Sequence, residues 1–324
     1  MVFATATTKA ARLIAVQRLF ARQPERIRPT AEIAAHLGVS PRATRNYLNE
    51  LSADGTLPLT LGRGGWGLVP DARFTMPPVS FRIEEAAACY LAARLLCRHV
   101  DEPNPAVRGA VAKLASVVPE NLGAVMDRLV ARLDPSDGGD GEVFRVMATG
   151  WALRRAVDIR YQSVGASEPR GHRLRIYLLE PAVRGFSLYA IGEVNPGQGL
   201  RVFKLERVSE ARLSDETFKA PDPEELLTRL DASWGVWLSD GEAQEVVLRF
   251  TPEVARPVRE TRWHLSQRLT DLPDGGIELR LVLPSTPELL PWILSWGGSC
   301  EVVSPASLRE QTAAELTRGI EHYR

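Results

Sequence analysis

The chain has 324 residues, of which 44% are apolar and 25% charged, and its 40 basic and 40 acidic side chains give a formal charge of zero. That is enough for two or three packed domains and excludes a disordered or collagen-like chain. No apolar run reaches the roughly 18 residues that a membrane helix needs, and no leader with a cleavage site opens the sequence, so a cytoplasmic protein without a signal peptide is expected. The zero is a sum of unlike parts. Residues 1–73 hold ten basic and five acidic side chains, a net of +5, whereas 74–140 carry −2, 141–220 carry +4 and 221–324 carry −7. A basic segment suits a polyanion, because Lys and Arg displace condensed counterions from phosphates.

In chain order, 7–22 reads as an amphipathic helix through Leu13, Val16, Leu19 and Phe20, stopped by Pro24. Thr30–Leu37 reads as a second helix, with Thr30 as its cap and Gly38 past its end. Ser40 then caps a third, which opens on Pro41 and runs to about Ala53. Leu57–Leu61 and Gly65–Val69 are two short strands about Gly62-Arg63-Gly64. This order predicts a helix-turn-helix with a wing. Its second helix offers Ser40, Arg42, Ala43, Thr44, Arg45 and Asn46 to a major groove, and Arg63 reaches a phosphate or the minor groove from the wing. The competing arrangement is a purely structural helical hairpin.

Helical patterns follow over 83–98 and 105–132, and 134–141, rich in Asp and Gly, is the clearest linker. After a helix at 143–155, strands are expected at 157–162, 174–179, 187–194, 200–205 and 208–213, with the spacing of a small barrel or sandwich. Pro221-Asp222-Pro223 marks a boundary. Beyond it strands at 243–250, 266–272, 276–283 and 300–303 alternate with helices at 252–262, 287–296 and 306–322, an antiparallel α+β module. The tryptophans Trp263, Trp292 and Trp296 are expected in its core. Cys89, Cys97 and Cys300 have no metal-ligand or disulfide spacing and read as buried thiols. The five histidines lie far apart. Neither a metal, a cofactor nor a catalytic constellation is indicated, so no enzyme is expected.

Several stretches resemble one family throughout: Ile159-Arg-Tyr161, Leu179-Glu-Pro181, Ser187-Leu-Tyr-Ala-Ile-Gly192, Arg201-Val-Phe-Lys-Leu-Glu-Arg-Val208, Val247-Leu-Arg-Phe250, Trp263-His-Leu-Ser-Gln267, Trp292-Ile-Leu294 and Val302-Val-Ser-Pro305. Together they are similar to the WYL-domain transcription regulators, which join a winged helix, a WYL domain and a C-terminal extension called WCX. The triplet that names the family reads Leu188-Tyr189-Ala190 here, so only its tyrosine is kept.

The resemblance implies an α+β multidomain chain: winged helix-turn-helix at 1–73, helical linker at 74–140, Sm-like β-barrel WYL domain at 141–220 and α/β WCX domain at 221–324. It implies a ligand-gated, sequence-specific regulator that works as a homodimer on double-stranded operator DNA. The effector would be a nucleic acid or nucleotide, above all short single-stranded DNA, held by Arg175, Tyr189, Arg201, Lys204 and Arg207. By strand parity Arg201 and Arg207 are expected on one side, with Arg175 from a neighbouring strand and Tyr189 as a stacking plane. The competing arrangement puts Tyr189 in the barrel core and pairs the arginines with Glu193, Glu206 and Glu210. A different functional reading is an accessory regulator or scaffold of a defence system that does not bind promoters.

Overall fold

The computed structural model describes residues 8–69, 76–99, 104–132, 141–182, 187–239 and 241–324. The linker expected at 134–141 lies almost wholly outside them, as does the Cys97 side chain. The fold is mixed α/β, with three sheets among the described residues. Contacts gather the chain into two units, Met1–Ala87 and Ala88–Arg324.

The first unit holds α1 (Lys9–Arg22), α2 (Thr30–Leu37), α3 (Pro41–Ala53) and a hairpin of β1 (Leu59–Gly62) and β2 (Gly65–Leu68). Thr8 caps α1 by accepting from Ala11 N at 3.2 Å. Gly38 leaves α2 at φ 65°, a left-handed step that glycine takes without a Cβ clash. Ser40 Oγ caps α3, accepting from Ala43 N at 3.3 Å, with Pro41 behind it. Pro29, not Thr30, holds the α2 cap position, because the Thr30 hydroxyl is taken by Trp66 Nε1 at 3.2 Å. Val16, Phe20, Ile33, Leu37, Leu48, Leu51, Leu57 and Trp66 form one core.

In the second unit, α4 (Ile83–His99, which begins in the first), α5 (Pro105–Ala115) and α6 (Glu120–Arg132) enclose Tyr90, Val107, Val111 and Met126. The single helix expected over 105–132 is broken before Pro119, whose ring cannot continue a helix. Next come α7 (Glu142–Leu153) and five antiparallel strands: β3 (Arg155–Tyr161), β4 (Arg170–Pro181), β5 (Leu188–Glu193), β6 (Arg201–Lys204) and β7 (Val208–Thr217).

The sheet order is β6-β5-β4-β3-β7. This corrects the closed barrel expected from the sequence: among the described residues the outer strands β6 and β7 are not paired. β6 is four residues long, and a 3-10 turn at Leu205–Arg207 separates it from β7. A side chain spans part of the gap instead. Tyr161 packs edge-on against Phe203, with ring centres 4.9 Å apart, and its Oη accepts from Lys204 N at 3.5 Å.

A further helix, α8 (Pro223–Ala232), was not expected; Asp222 caps it, accepting from Glu224 N at 3.0 Å. The last module is β8 (Gln244–Phe250), α9 (Pro252–Glu260), β9 (Arg268–Asp271), β10 (Ile277–Leu283), α10 (Leu289–Ser295), β11 (Cys300–Ser304) and α11 (Ala306–Glu321). Its sheet order is β11-β8-β10-β9. The inward residues of β8 and β10 pack with Trp234 and Trp292, and Trp263 and Trp296 close the edge, so these rings belong to the core. Burial also pushes the Cys300 thiol up to about 12, as fits an inert core cysteine.

Candidate nucleic-acid interfaces

The first candidate is built on α3. Leu48 and Leu51 turn inward, and with them Thr44, which is fully buried. Thr44 Oγ1 donates to the Ser40 carbonyl at 3.1 Å. Thr44 was expected to face a groove and is hereby corrected: helical spacing puts it on the core side, where it steadies the first turn.

Arg42, Arg45 and Asn46 are exposed, Ala43 is half-buried, and Ser40 is exposed but occupied as the cap. Asn49, one turn beyond, continues the exposed stripe, which was readable from the i, i+3, i+4, i+7 spacing. Among the described residues, Arg42, Arg45 and Arg63 enter no ion pair. Nearby cations do pair: Lys9 Nζ meets Glu50 at 2.8 Å, and Arg26 meets Glu32 at 2.9 Å.

Arg63 sits in the turn of the hairpin, between the paired residues Gly62 and Gly65. The hairpin is tied down behind it. Arg28 and Trp66 exchange two backbone hydrogen bonds of 2.8 Å. Gly65 has φ 129°, and a Cβ there would strike the Arg28 carbonyl. The Arg28 guanidinium is buried. It donates to the Gln23 and Arg26 carbonyls at 3.2 and 2.9 Å and to Gln23 Oε1 at 3.1 Å, and it lies 5.2 Å over the Phe20 ring. Burial first, and then the charge of Arg26, lower its pKa from the ordinary arginine value. Arg28 is thus the structural arginine that composition alone cannot tell from Arg42.

The second candidate lies on the central sheet, and here the five expected residues do not form one site. Register sets Tyr189 opposite Lys204 on one side and Glu180 on the other, so these three share a face. Arg201 stands opposite Gly192, which in turn faces Ile176, three register rows from Tyr189, and so belongs to the other face with Phe203. Arg175 pairs in register with Glu193. It therefore cannot join Arg201, and it is also occupied: its Nε donates to Glu216 Oε1 at 2.8 Å in a largely buried ion pair. The expected meeting of Arg201, Arg207 and Arg175 is corrected. Strand parity does not pass the 3-10 turn that carries Arg207, and Arg175 is on the opposite face.

What does gather is Tyr189, Lys204 and Arg207, with acids among them. Lys204 lies 4.0 Å from Glu206, and Glu206 accepts from Leu188 N at 3.4 Å. Burial raises the Tyr189 pKa, while a hydrogen bond with Ser187 and the charge of Arg207 pull it down. Glu288, at the start of α10, acts on the same phenol. Glu288 also accepts from the Val236 and Trp237 amides at 3.3 and 2.9 Å. Trp237, whose amide is thus held by Glu288, is 56% exposed, and nothing in its sequence context had singled it out. The competing sequence reading does not hold either: Arg175 meets Glu216 rather than Glu193, Glu206 or Glu210, and Tyr189 lies on the face away from Phe203, while it is Lys204 that approaches Glu206.

On the other face Arg201 bears on His172, whose pKa is lowered by burial first and then by Arg201 and Arg170. Among the described residues no group of His, Cys, Asp and Glu could hold a metal ion, and no helix is long and apolar enough to cross a membrane.

Residues 242–320 match the WCX domain family. The chain is 23% identical to Protein PafC of Mycobacterium tuberculosis, in two strains, over 333 aligned positions that cover 98% of this chain and 97% of the relative. Two solved structures are similar: proteasome accessory factor B/C (PafBC) of Arthrobacter aurescens, with 19% identity, a TM-score of 0.31 and 100% of this chain covered, and a CRISPR Cas-related protein, with 15% identity, a TM-score of 0.36 and 56% covered. The chain spans half the length of each of these two structures.

Proposed function

We propose, from a chain whose residues 242–320 match the WCX domain family, that it is a transcription regulator of the WYL/WCX kind which reads duplex DNA with α3 and answers to a nucleic-acid effector on its central sheet. One observation carries the reading. Arg42, Arg45 and Arg63 stand exposed and, among the described residues, without an ion pair, on a capped helix and on the turn of an anchored hairpin, in the most basic segment of the chain. Unspent guanidinium groups on a rigid support are what base edges and phosphates need. Two copies on paired half-sites supply the area that one helix lacks.

For the effector, Tyr189 offers a stacking plane, and Lys204 and Arg207 offer phosphate contacts, in the manner of single-strand binders. Because the charge of Glu288, which holds the Val236 and Trp237 amides at the start of α10, acts on the Tyr189 phenol, an effector here would alter the surroundings of that segment. Gating requires that it bind one arrangement better than another.

The test is fluorescence anisotropy with a labelled duplex from the protein's own upstream region and a scrambled duplex, at about 200 mM salt, where nonspecific contacts weaken. Tighter binding to the native duplex, changed by a short single strand, is the expected result. Equal binding to both duplexes overturns the reading.

A further inference from the structure

Glu206 is an acid among the cations that face the effector. It lies between Lys204 and Arg207 in the chain, and its side chain is only 18% exposed. A carboxylate there repels phosphates and gives up part of its hydration. Its place is nonetheless fixed. Oε1 accepts from Leu188 N at 3.4 Å, which sets the acid beside Tyr189, and Oε2 lies 4.0 Å from Lys204 Nζ, beyond hydrogen-bond reach. A carboxylate has about four acceptor positions, so neither contact saturates it.

Glu206 and Arg207 also line a hollow of about 400 Å³ together with Gln162, Val164 and Ser209. That volume falls among small-ligand pockets and holds a single base. The wall opposite is held in place. Gln162 N donates to the Arg207 carbonyl at 3.1 Å, and Gln162 Nε2 donates to the Ala166 carbonyl at 2.9 Å.

We propose that Glu206 reads a guanine of the effector: its carboxylate accepts from N1–H and the N2 amino group of one unstacked base, and Lys204 donates to O6 of the same base. Phosphate and sugar-ring oxygens offer an acid no donor, so base edges are what satisfies it. Guanine sets two neighbouring donors beside an acceptor on that edge. Adenine and cytosine set one amino group beside a ring nitrogen that repels the acid, and thymine flanks its one N–H with two carbonyls. Glu206 followed by Lys204 is the complement of guanine, two acceptors and then a donor. Lys204 has three donors and keeps others for a phosphate. Tyr189, on whose phenol the charges of Glu206 and Arg207 both act, supplies the stacking plane alongside. This role deepens the effector reading proposed above and rests on it.

The test is fluorescence anisotropy of the full chain with short end-labelled thymidine deoxy strands. One middle position carries guanine, hypoxanthine, adenine, cytosine or thymine. The guanine strand is expected to bind about tenfold tighter than the all-thymidine strand. Hypoxanthine lacks only the N2 amino group and is expected to lose most of that gain. Glu206→Gln puts a donor where an acceptor stood, and is expected to bring the guanine and all-thymidine strands within about twofold of each other. The all-thymidine strand is expected to bind this variant no more weakly than the wild type, since a repelling charge is gone. A merely structural role would weaken every strand alike. Circular dichroism checks that the variant is folded, and the hypoxanthine comparison needs no variant. Guanosine monophosphate carries the same edge with one phosphate and is expected to displace the guanine strand only weakly. Displacement as strong as that by the unlabelled strand would assign the site to free guanine nucleotides and overturn the strand as ligand. A guanine strand that binds no better than the others, or a hypoxanthine strand that binds as guanine does, overturns the role of Glu206 and leaves the effector reading standing. Failure of every strand to bind overturns both.

Discussion

In the N-terminal unit Arg42, Arg45 and Arg63 stand in solvent without a carboxylate partner among the described residues, whereas in the central sheet arginine after arginine meets an acid. Arg155 reaches Asp215 at 3.2 Å, Arg173 grips Asp158 through two bonds of 2.7 and 2.9 Å, Arg175 holds Glu216, and Lys204 lies beside Glu206. The two segments have nearly the same formal charge, +5 over 1–73 and +4 over 141–220. Net charge therefore misjudges them. A polyanion must displace a paired carboxylate before it gains the arginine, and a free guanidinium exacts no such exchange. The proposed phosphate and base reading therefore falls first on α3 and the hairpin.

The most severe way to break this comparison is to remove the free arginines. Arg42→Ala and Arg45→Ala are each expected to cost about 1–3 kcal/mol of duplex affinity, with the pair combined costing more than tenfold in Kd. Anisotropy titration measures it, and a double variant that binds like the wild type breaks the contrast. Thr44→Val sharpens the same point. Its buried hydroxyl donates to the Ser40 carbonyl at the cap of its own helix, so duplex affinity is expected to hold within a few-fold.

Arg28 tests the comparison from inside the N-terminal unit. It is as cationic as Arg42 but has its donors on Gln23 and the Arg26 carbonyl. Arg28→Met is expected to cost about 2–3 kcal/mol of folding stability in urea denaturation, the range for hydrogen bonds to a charged group. Unchanged stability would mean that the hairpin does not depend on this anchor.

A smaller effect is expected from freeing an arginine in the central sheet. Glu216→Gln removes the carboxylate that occupies Arg175. Single-strand affinity is expected to rise a few-fold and the slope of log K against log salt to steepen by about 0.7, one added phosphate contact for a single strand. No change in either would show that Arg175 is shaped for its ion pair alone.

Much of this was legible in the sequence. Ser40, Pro41 and Gly38 mark helix ends through local chemistry, and the alternation in 243–283 marks strands through periodicity, so the elements stand close to where they were expected. α8 was missed because its short Pro-Glu-Glu start followed a boundary and carried one deeply buried residue, Leu226. The sheet's openness was illegible because a 3-10 turn at Leu205–Arg207 depends on tertiary contacts, among them Gln162 N donating to the Arg207 carbonyl at 3.1 Å. The central site failed for a related reason. Which acid an arginine chooses, Glu216 for Arg175, joins residues 41 positions apart. Parity arguments reach along one strand and not across such a distance.

The smallest expected effect concerns the bidentate Asp158–Arg173 pair, half-exposed on the sheet surface. The Arg173 guanidinium holds the Asp158 carboxyl below its ordinary value, against the opposing effect of burial. A carboxylate whose folded pKa is depressed stabilises the fold at any pH above its unfolded value, and that stabilisation is lost as pH falls toward the folded one. For a pair this exposed the contribution is less than about 1 kcal/mol, since solvent screens it. Asp158→Asn is therefore expected to be slightly less stable than the wild type at neutral pH, with the gap constant down to about pH 5 and closing below the ordinary aspartate value near 3.9. Urea denaturation of the two proteins at stepped pH measures that gap. If it widened on acidification, Asp158 would be held by something other than the Arg173 cation, and the account of the central arginines as already paired would lose its best-formed example.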